Sequence, residues 1–331
     1  MTTLLEVKDL VVKFALRGGD VTATNGVSFD LARGERLGLV GESGAGKSVT
    51  GFSIINLISQ PGYIASGAVN FHGENLATMS AARLRTIRGN RISMIFQDPM
   101  MTLNPVLTIG TQMIETLMTH NPQMGKERAS GIALEKLRKV HIPSPEKRLE
   151  QYPHEFSGGM RQRIIIAIAL LTDPELIIAD EPTTALDVTI QAEIMDLLIE
   201  LCETEGMGMI LITHDLAVVA QVTQTVAVMY AGRVVEKGPT QDVIARPQHP
   251  YTQGLIAALP QSGGHGRRLN QIPGMMPTLK DIPLGCAFNP RCPQVMGVCR
   301  TTTPVLRRAD NGVLAACHLY PLSIPTEQVR L

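Results

Sequence analysis

One octapeptide constrains this chain more than any other feature: Gly41-Glu42-Ser43-Gly44-Ala45-Gly46-Lys47-Ser48 has the spacing of a phosphate-binding loop. An apolar run precedes it and an amphipathic stretch follows, which predicts a strand, the loop and a helix. Glycines let backbone N–H groups converge on phosphate oxygens, Lys47 can reach the β- and γ-phosphates, and the Ser48 hydroxyl can bind Mg²⁺. A glycine-rich turn with a solvated lysine is the alternative. The predicted nucleotide-binding residues are Gly41, Ser43, Gly44, Ala45, Gly46, Lys47, Ser48 and Val49.

A second feature is an apolar run that ends in two carboxylates, Leu176–Ala179 followed by Asp180 and Glu181. In open α/β sheets ligands bind at the carboxyl ends of the strands, so we expect both side chains beside the phosphate loop. Asp180 suits a role in holding Mg²⁺, and Glu181 is placed to orient or deprotonate the attacking water. Taken alone, Asp-Glu-Pro also fits an ordinary strand-ending turn, and the upstream phosphate loop favours the metal site.

A third feature is Ser157-Gly158-Gly159-Met160, which opens a helix predicted over 158–171. Ser157 is a favourable N-cap residue, and the two glycines leave backbone N–H groups open to an anion. The order along the chain is the phosphate loop, Gln97, this segment, Asp180-Glu181, Asp187 and His214. Over about residues 4–240 this order resembles that of ABC transporter ATPases.

The resemblance implies roles for residues outside the phosphate loop. Gln97 resembles the glutamine that contacts Mg²⁺, together with Ser48 and Asp180, and that senses a membrane partner. His214 resembles the histidine that hydrogen-bonds the γ-phosphate. Asp187 resembles the residue that links two active sites. We expect Phe14 to stack on adenine, although a core phenylalanine fits equally well.

The resemblance also implies a nucleotide-sandwich dimer. Ser157, Gly158 and Gly159 of one subunit are expected to seal the ATP held by the phosphate loop of another, identical or similar. Because the chain has one cassette, it must pair to form complete sites. Met160 stands where the family usually has glutamine, which puts only that polar contact in doubt.

The periodicity of the chain predicts an α/β fold. Residues 1–95 alternate short β-type runs with turns, 101–156 have helical spacing, and 157–235 alternate strand and helix. With 44% apolar residues in 331, a sizeable core is expected. We predict a P-loop NTPase parallel-sheet core with an antiparallel β subdomain, a helical insertion and a small irregular C-terminal extension. The predicted boundaries are 1–235 for the nucleotide-binding domain, with the helical subdomain at about 101–156, and 236–331 for the extension.

Four of the five cysteines lie in this extension, with the spacing C-x₅-C-x₆-C-x₁₇-C. A 4Fe–4S cluster suits four thiolates with loose spacing, whereas structural zinc sites usually pair their ligands more closely. Free buried thiols are the third possibility. We predict an iron–sulfur cluster, with Zn²⁺ as the alternative, on Cys286, Cys292, Cys299 and Cys317.

Residues from about 245 to 320 resemble the C-terminal extension of oligopeptide and dipeptide importer ATPases, notably at Gln248–Thr252 and Phe288–Pro293. This resemblance implies an ATPase that powers peptide import with two transmembrane permease subunits, a second ATPase subunit and, indirectly, an extracytoplasmic solute-binding protein. Nickel, glutathione or antimicrobial peptides are alternative cargoes. A soluble ABC ATPase that acts on DNA or ribosomes, or a metal- or redox-sensing regulator, is a more distant alternative.

The N-terminal pattern, the length of the apolar runs and the charge balance indicate where the protein acts and which partners it lacks. The N-terminal residues lack the pattern of a signal peptide, and no apolar run approaches the length of a membrane span. We therefore expect a peripheral protein at the cytoplasmic face of the inner membrane. The 30 basic and 30 acidic residues balance, so we expect no nucleic-acid partner.

Overall fold

The computed structural model describes residues 2–98, 102–184, 186–259, 271–309 and 312–320, and its strands form two sheets. The strands are β1 (Thr3–Leu16), β2 (Gly19–Ala32), β3 (Arg36–Val40), β4 (Gly62–Phe71), β5 (Glu74–Asn75), β6 (Ile92–Ile95), β7 (Leu176–Asp180), β8 (Gly208–Thr213), β9 (Thr225–Tyr230), β10 (Arg233–Pro239), β11 (Arg307–Arg308) and β12 (Leu314–Ala315). The larger sheet has the order β11-β12-β10-β9-β3-β8-β7-β6, and the smaller sheet has the order β2-β1-β4-β5.

The larger sheet is parallel from β9 to β6. Every residue of β7 and β8 is buried, as expected for strands that are covered by helices on both faces. Because the strands run in one direction, the segments that follow β3, β7 and β8 meet at one edge. The predicted α/β fold with a P-loop NTPase core is confirmed, and this edge positions the candidate site.

The helices begin where the capping residues predict. Ser157, Asp187 and Asp215 each precede a helix and accept a hydrogen bond from a backbone N–H of its first turn. No helix within the described ranges has both the length and the apolar character needed to cross a bilayer. The helices are α1 (Lys47–Ile54), α2 (Ala81–Arg85), α3 (Ile109–His120), α4 (Lys126–Lys139), α5 (Pro145–Arg148), α6 (Gly158–Ala169), α7 (Val188–Glu205), α8 (Leu216–Val222), α9 (Thr240–Ala245) and α10 (Pro250–Ala257).

The segment with helical spacing contains α3, α4 and α5. The apolar residues of α3 and α4 recur at helical intervals, and both helices pack against α6. Their buried faces carry Ile109, Met113, Leu117, Ala129, Ala133 and Leu137. The described part of the predicted helical insertion therefore consists mainly of three α-helices and the loops that join them. Residue 101, where the prediction begins, lies outside the described residues.

The smaller sheet is antiparallel, and its edge strand β2 is longer than the sequence pattern indicates. The run Val27–Leu31 predicts a short strand, but β2 extends back to Gly19 and pairs with β1 along its length. Register shifts interrupt the pairing, so apolar residues do not alternate strictly with polar ones. The predicted antiparallel β subdomain is present.

The C-terminal segment is less irregular than expected, because α9 and α10 occupy most of residues 240–257. Beyond residue 270 the described regular structure is short. The two-residue strand β12 pairs with β10 through Glu236 and Lys237, and thereby joins this segment to the larger sheet. The predicted boundary after residue 235 falls inside β10 and remains a prediction. Residues 260–270, 310–311 and 321–331 of the predicted extension lie outside the described residues.

Candidate nucleotide-binding site

The phosphate loop joins β3 to α1 in a shape that glycine makes possible. A Cβ on Gly41 would lie 2.3 Å from the carbonyl oxygen of Met229. Gly46 has a φ of +97°, and a Cβ there would lie 2.9 Å from the Ala23 carbonyl oxygen. Backbone approach this close leaves no room for a side chain at either position. Around these glycines, Ser43 and Gly44 are exposed, Ala45 is buried and Val49 is half-buried against the core.

Lys47 begins α1 and folds back across its own loop. Its Nζ donates to the carbonyl oxygens of Gly41 at 2.8 Å and of Glu42 at 3.1 Å. Burial lowers the pKa of Lys47, and the carboxylates of Glu181, Asp180 and Glu42 act in the opposite direction. The ammonium group is therefore held at the mouth of the loop, where phosphate oxygens would meet it.

Ser48 and Asp180 supply two adjacent oxygens at the edge of the larger sheet. The Ser48 hydroxyl donates to Asp180 Oδ1 at 3.0 Å. Burial raises the pKa of Asp180 to about 6, with a further rise from Glu181, while the Ser48 hydrogen bond and Lys47 oppose it. A hydroxyl and a carboxylate are hard oxygen ligands of the kind that Mg²⁺ prefers, so these residues fit the predicted metal.

Three side chains converge on the carboxylate of Glu181. Gln97 Nε2 lies 3.2 Å and Thr184 Oγ1 lies 2.9 Å from Oε2, while His214 Nδ1 lies 3.3 Å from Oε1. The Glu181 backbone has a φ of +45°, in the left-handed region that non-glycine residues rarely occupy. Its N–H donates to the Ile212 carbonyl oxygen at 2.8 Å and fixes this turn. Such a conformation at a site of converging polar groups is typical of functional sites.

Thr184 is a contributor that the sequence prediction missed. It lies three residues after Glu181 in the turn that follows β7. A threonine three residues after a strand-ending carboxylate can hydrogen-bond to it, and this spacing was the only local sign of the contact. Gln97 and His214, in contrast, follow different strands, and their approach to one carboxylate depends on the order of the strands.

Two other predicted site residues cap helices in this chain. Ser157 Oγ accepts from the Met160 N–H at 3.3 Å, and Asp187 Oδ1 accepts from the Ile190 N–H at 2.9 Å. The first-turn glycines of α6, Gly158 and Gly159, are exposed and half-buried respectively. These contacts account for helix starts. The predicted contact of these residues with a nucleotide of a second subunit remains a prediction.

Phe14 lies on β1, in the smaller sheet, N-terminal to the phosphate loop. Its half-buried ring packs against the core that the two sheets share. This packing agrees with the core alternative, and stacking on adenine remains a prediction.

The four C-terminal cysteines do not support the predicted metal cluster. Their thiol groups lie near enough for their charges to interact. Across the described ranges, however, no three His, Cys, Asp or Glu side chains are arranged so that they could hold a metal ion. Burial raises the pKa of the Cys286 thiol to about 11, and it also raises the pKa values of Cys292 and Cys317. The 4Fe–4S prediction on Cys286, Cys292, Cys299 and Cys317, and the Zn²⁺ alternative, are therefore not supported.

The site also includes two residues of the C-terminal segment that the sequence did not single out. The Glu42 backbone N–H donates to the Tyr251 hydroxyl at 2.8 Å. The Glu42 carboxylate forms a bidentate ion pair with Arg291, at 2.8 and 3.0 Å. Tyr251 and Arg291 both belong to the motifs that resemble the importer extension. Arg291 is 249 residues from Glu42 in the sequence, so no local pattern could predict their contact.

Comparison with known proteins places this site in a family. Residues 24–184 match the family model described as ABC transporter, and residues 235–299 match that of the oligopeptide/dipeptide transporter C-terminal region. A dimeric ATP-binding cassette in a post-hydrolysis state with ADP and Pi has a similar structure. Its TM-score is 0.64 at 27% identity, over 71% of this chain and 98% of that one.

Curated relatives extend the similarity over nearly the whole chain. A probable peptide ABC transporter ATP-binding protein of Sinorhizobium fredii is 50% identical over 95% of this chain and 94% of its own length. The oligopeptide transport ATP-binding protein OppD of Salmonella typhimurium is 49% identical over 95% and 93%. The dipeptide transport ATP-binding protein DppD of Bacillus subtilis is 50% identical over 92% and 91%. The chain therefore belongs to the ABC transporter family and is an ATP-binding, ATP-hydrolysing subunit of that family.

Proposed function

We propose that this ATPase energises the import of dipeptides or oligopeptides. Support comes from the C-terminal family match over residues 235–299 and from relatives named as oligopeptide and dipeptide transport proteins. Nickel, glutathione and antimicrobial peptides are the alternative cargoes. The cargo passes through membrane subunits, so cargo identity is a property of the complex.

The proposed mechanism rests on Glu181, whose carboxylate is contacted by Gln97, Thr184 and His214. Glu181 orients and deprotonates the attacking water, and His214 hydrogen-bonds the γ-phosphate. Ser48, Gln97 and Asp180 would hold Mg²⁺, and the bound ion would neutralise phosphate charge. The nucleotide lies against Gly41, Ser43, Gly44, Ala45, Gly46, Lys47, Ser48 and Val49, with adenine on Phe14.

The active assembly in this proposal is a dimer of cassettes. Ser157, Gly158, Gly159 and Asp187 of one subunit close over the nucleotide of the other, which is identical or similar. Two permease subunits bind the dimer at the cytoplasmic face of the inner membrane, and an extracytoplasmic binding protein delivers the peptide. Nucleotide binding closes the dimer, hydrolysis reopens it, and the permeases move with it. Residues 1–235 form the cassette and 236–331 the extension.

Uptake of a labelled dipeptide and a labelled tripeptide tests the cargo. In cells whose own copy of this gene carries Lys47→Ala, we expect uptake of both peptides to be lost, because nucleotide binding requires that ammonium group. Arg17→Ala, a change of an exposed residue on a β-turn, is the control. Peptide uptake at the wild-type rate in the Lys47→Ala cells would refute the proposed cargo, and loss of nickel or glutathione uptake would identify the alternative.

We propose separately that the four C-terminal thiols bind a 4Fe–4S cluster when iron and sulfide are supplied. The loose spacing and the nearness of the four thiols support this, and their arrangement in the structure opposes it. Anaerobic reconstitution followed by iron and sulfide determination is the test. Cys292→Ser is expected to lower the bound iron, whereas Cys202→Ser, a change in the cassette core, is not. A reconstituted wild-type protein without iron would remove the cluster from the proposal.

A further inference from the structure

Glu42, the second residue of the phosphate loop, is held at three points. Its N–H donates to the Tyr251 hydroxyl at 2.8 Å, and its carbonyl oxygen accepts from Lys47 Nζ at 3.1 Å. Its carboxylate accepts two parallel hydrogen bonds from Arg291. Two of these three partners belong to the C-terminal segment, so that segment contributes directly to the shape of the loop.

Arg291 is fixed in turn by its surroundings. Its side chain is only 6% exposed, and its Nε donates to the Pro273 carbonyl oxygen at 2.9 Å. The guanidinium group also lies near the rings of Tyr230 and Phe288, 5.8 and 5.9 Å from their centroids. A planar guanidinium held in this way fixes a carboxylate more firmly than a lysine would. The position of Glu42 is therefore set by residues outside the cassette motifs.

The ion pair also changes the charge that the phosphate loop presents. Glu42 carries a negative charge close enough to interact with the Lys47 ammonium group. An unpaired carboxylate there would repel the triphosphate, and in a site of reduced dielectric constant this repulsion is strong. Arg291 compensates the charge.

We propose that Arg291 is a positioning residue of the nucleotide site, which holds the phosphate loop through Glu42 and cancels the charge of that carboxylate. The C-terminal segment thereby sets the affinity of the ATPase for MgATP. This inference rests on the proposed binding of nucleotide at the loop from Gly41 to Ser48. Met276 of the same segment also lies against the loop, since its Cε is 3.0 Å from where a Cβ on Gly44 would be.

A double-mutant cycle on the full-length chain tests the inference. We expect Arg291→Gln to raise the Kd and the KM for MgATP about tenfold, with a smaller change in kcat. Adding Glu42→Gln removes the uncompensated charge, so the double variant is expected to recover most of that loss. A role of Arg291 in folding alone predicts no recovery, because the second change restores none of its contacts.

Further variants keep the test decisive if Arg291→Gln folds poorly. Arg291→Lys retains the charge without the bidentate geometry and is expected to lie between wild type and Arg291→Gln in MgATP affinity. Arg308→Gln changes an exposed arginine of the same segment and is the matched control. Thermal unfolding of each variant reports folding.

Two outcomes would overturn the inference: wild-type affinity in Arg291→Gln, or a double variant as weak as Arg291→Gln. Lys47→Ala separates this failure from a failure of the proposed nucleotide site. If Lys47→Ala loses MgATP while Arg291→Gln does not, the loop still binds nucleotide and only the role of Arg291 is refuted. If Lys47→Ala binds MgATP like wild type, the nucleotide site itself is wrong.

Discussion

The Ser48 hydroxyl donates a hydrogen bond of 3.0 Å to Asp180, a residue 132 positions further along the chain. Ser48 stands in the first turn of α1 and Asp180 ends β7. Their contact joins the phosphate loop to the acidic strand end. Two oxygens so placed are the part of the candidate site that most directly suits Mg²⁺.

Removal of the Ser48 hydroxyl is expected to weaken the binding of MgATP without affecting metal-free ATP. Ser48→Ala leaves Asp180 without its hydrogen-bond donor and deletes one metal ligand, so we expect an affinity loss of about tenfold or more. Titration calorimetry with and without Mg²⁺ measures the difference. Ser66→Ala, at an exposed position of β4, is the control. An equal loss in both titrations would exclude a metal-specific role.

The raised pKa of Asp180 predicts a pH dependence of folding stability. Its folded pKa is about 6 and its reference value 3.8, so the folded chain binds the proton more tightly than the unfolded chain. The resulting stabilisation is complete below about pH 4 and is lost as the pH rises through about 6. The whole change is about 3 kcal/mol, of which about 2 kcal/mol falls between pH 4.5 and 7.5. Urea unfolding of wild type and Asp180→Asn at pH 4.5 and 7.5, without Mg²⁺, measures it.

Wild type should lose stability relative to Asp180→Asn over that pH range. Asp196→Asn, a change of an exposed carboxylate in the middle of α7, should follow wild type. Parallel stability curves for wild type and Asp180→Asn would show that the burial of Asp180 does not perturb its protonation.

Glu181→Gln is expected to abolish hydrolysis and preserve nucleotide binding. Loss of a general base typically lowers turnover by at least about 100-fold, and glutamine keeps the shape needed by Gln97 and Thr184. Phosphate release and nucleotide affinity are measured on the same preparation. Glu127→Gln, an exposed residue of α4, is the control. Wild-type turnover in Glu181→Gln would remove Glu181 from the role of base.

The Asp187 side chain predicts separable effects on stability and on activity. Asp187→Ala deletes the N-cap of α7 and is expected to lower the free energy of unfolding by about 1 kcal/mol. Asp187→Asn keeps the cap and should keep the stability. If Asp187→Asn nonetheless loses ATPase activity, the carboxylate acts between subunits. If it keeps full activity, Asp187 serves only as a cap.

The sequence predicted those parts of the site whose signals are local. The phosphate loop and the acidic end of β7 follow from glycine spacing and from an apolar run, because each depends on neighbouring residues. The positions of Gln97 and His214 around Glu181 needed the order β8-β7-β6, which no local pattern contains. The resemblance to a family supplied that information.

Two parts of the structure could not be predicted in this way. The pair of Arg291 and Glu42 has no periodicity, and its residues meet only when the whole chain has folded. The pairing of β12 with β10 involves two residues on β12, too few for an alternating pattern to be detected. The four cysteines are the reverse case, because their spacing predicts a metal site that their arrangement among the described residues does not support.

The pairing of β12 with β10 has a practical consequence for the design of shortened proteins. A version of the chain that stops after the cassette motifs would uncover the outer side of β10, where backbone N–H and C=O groups would lack partners. Uncovered strands of this kind recruit other chains and promote aggregation. A protein truncated in this way is expected to aggregate during purification, so recombinant production should retain residues 312–320.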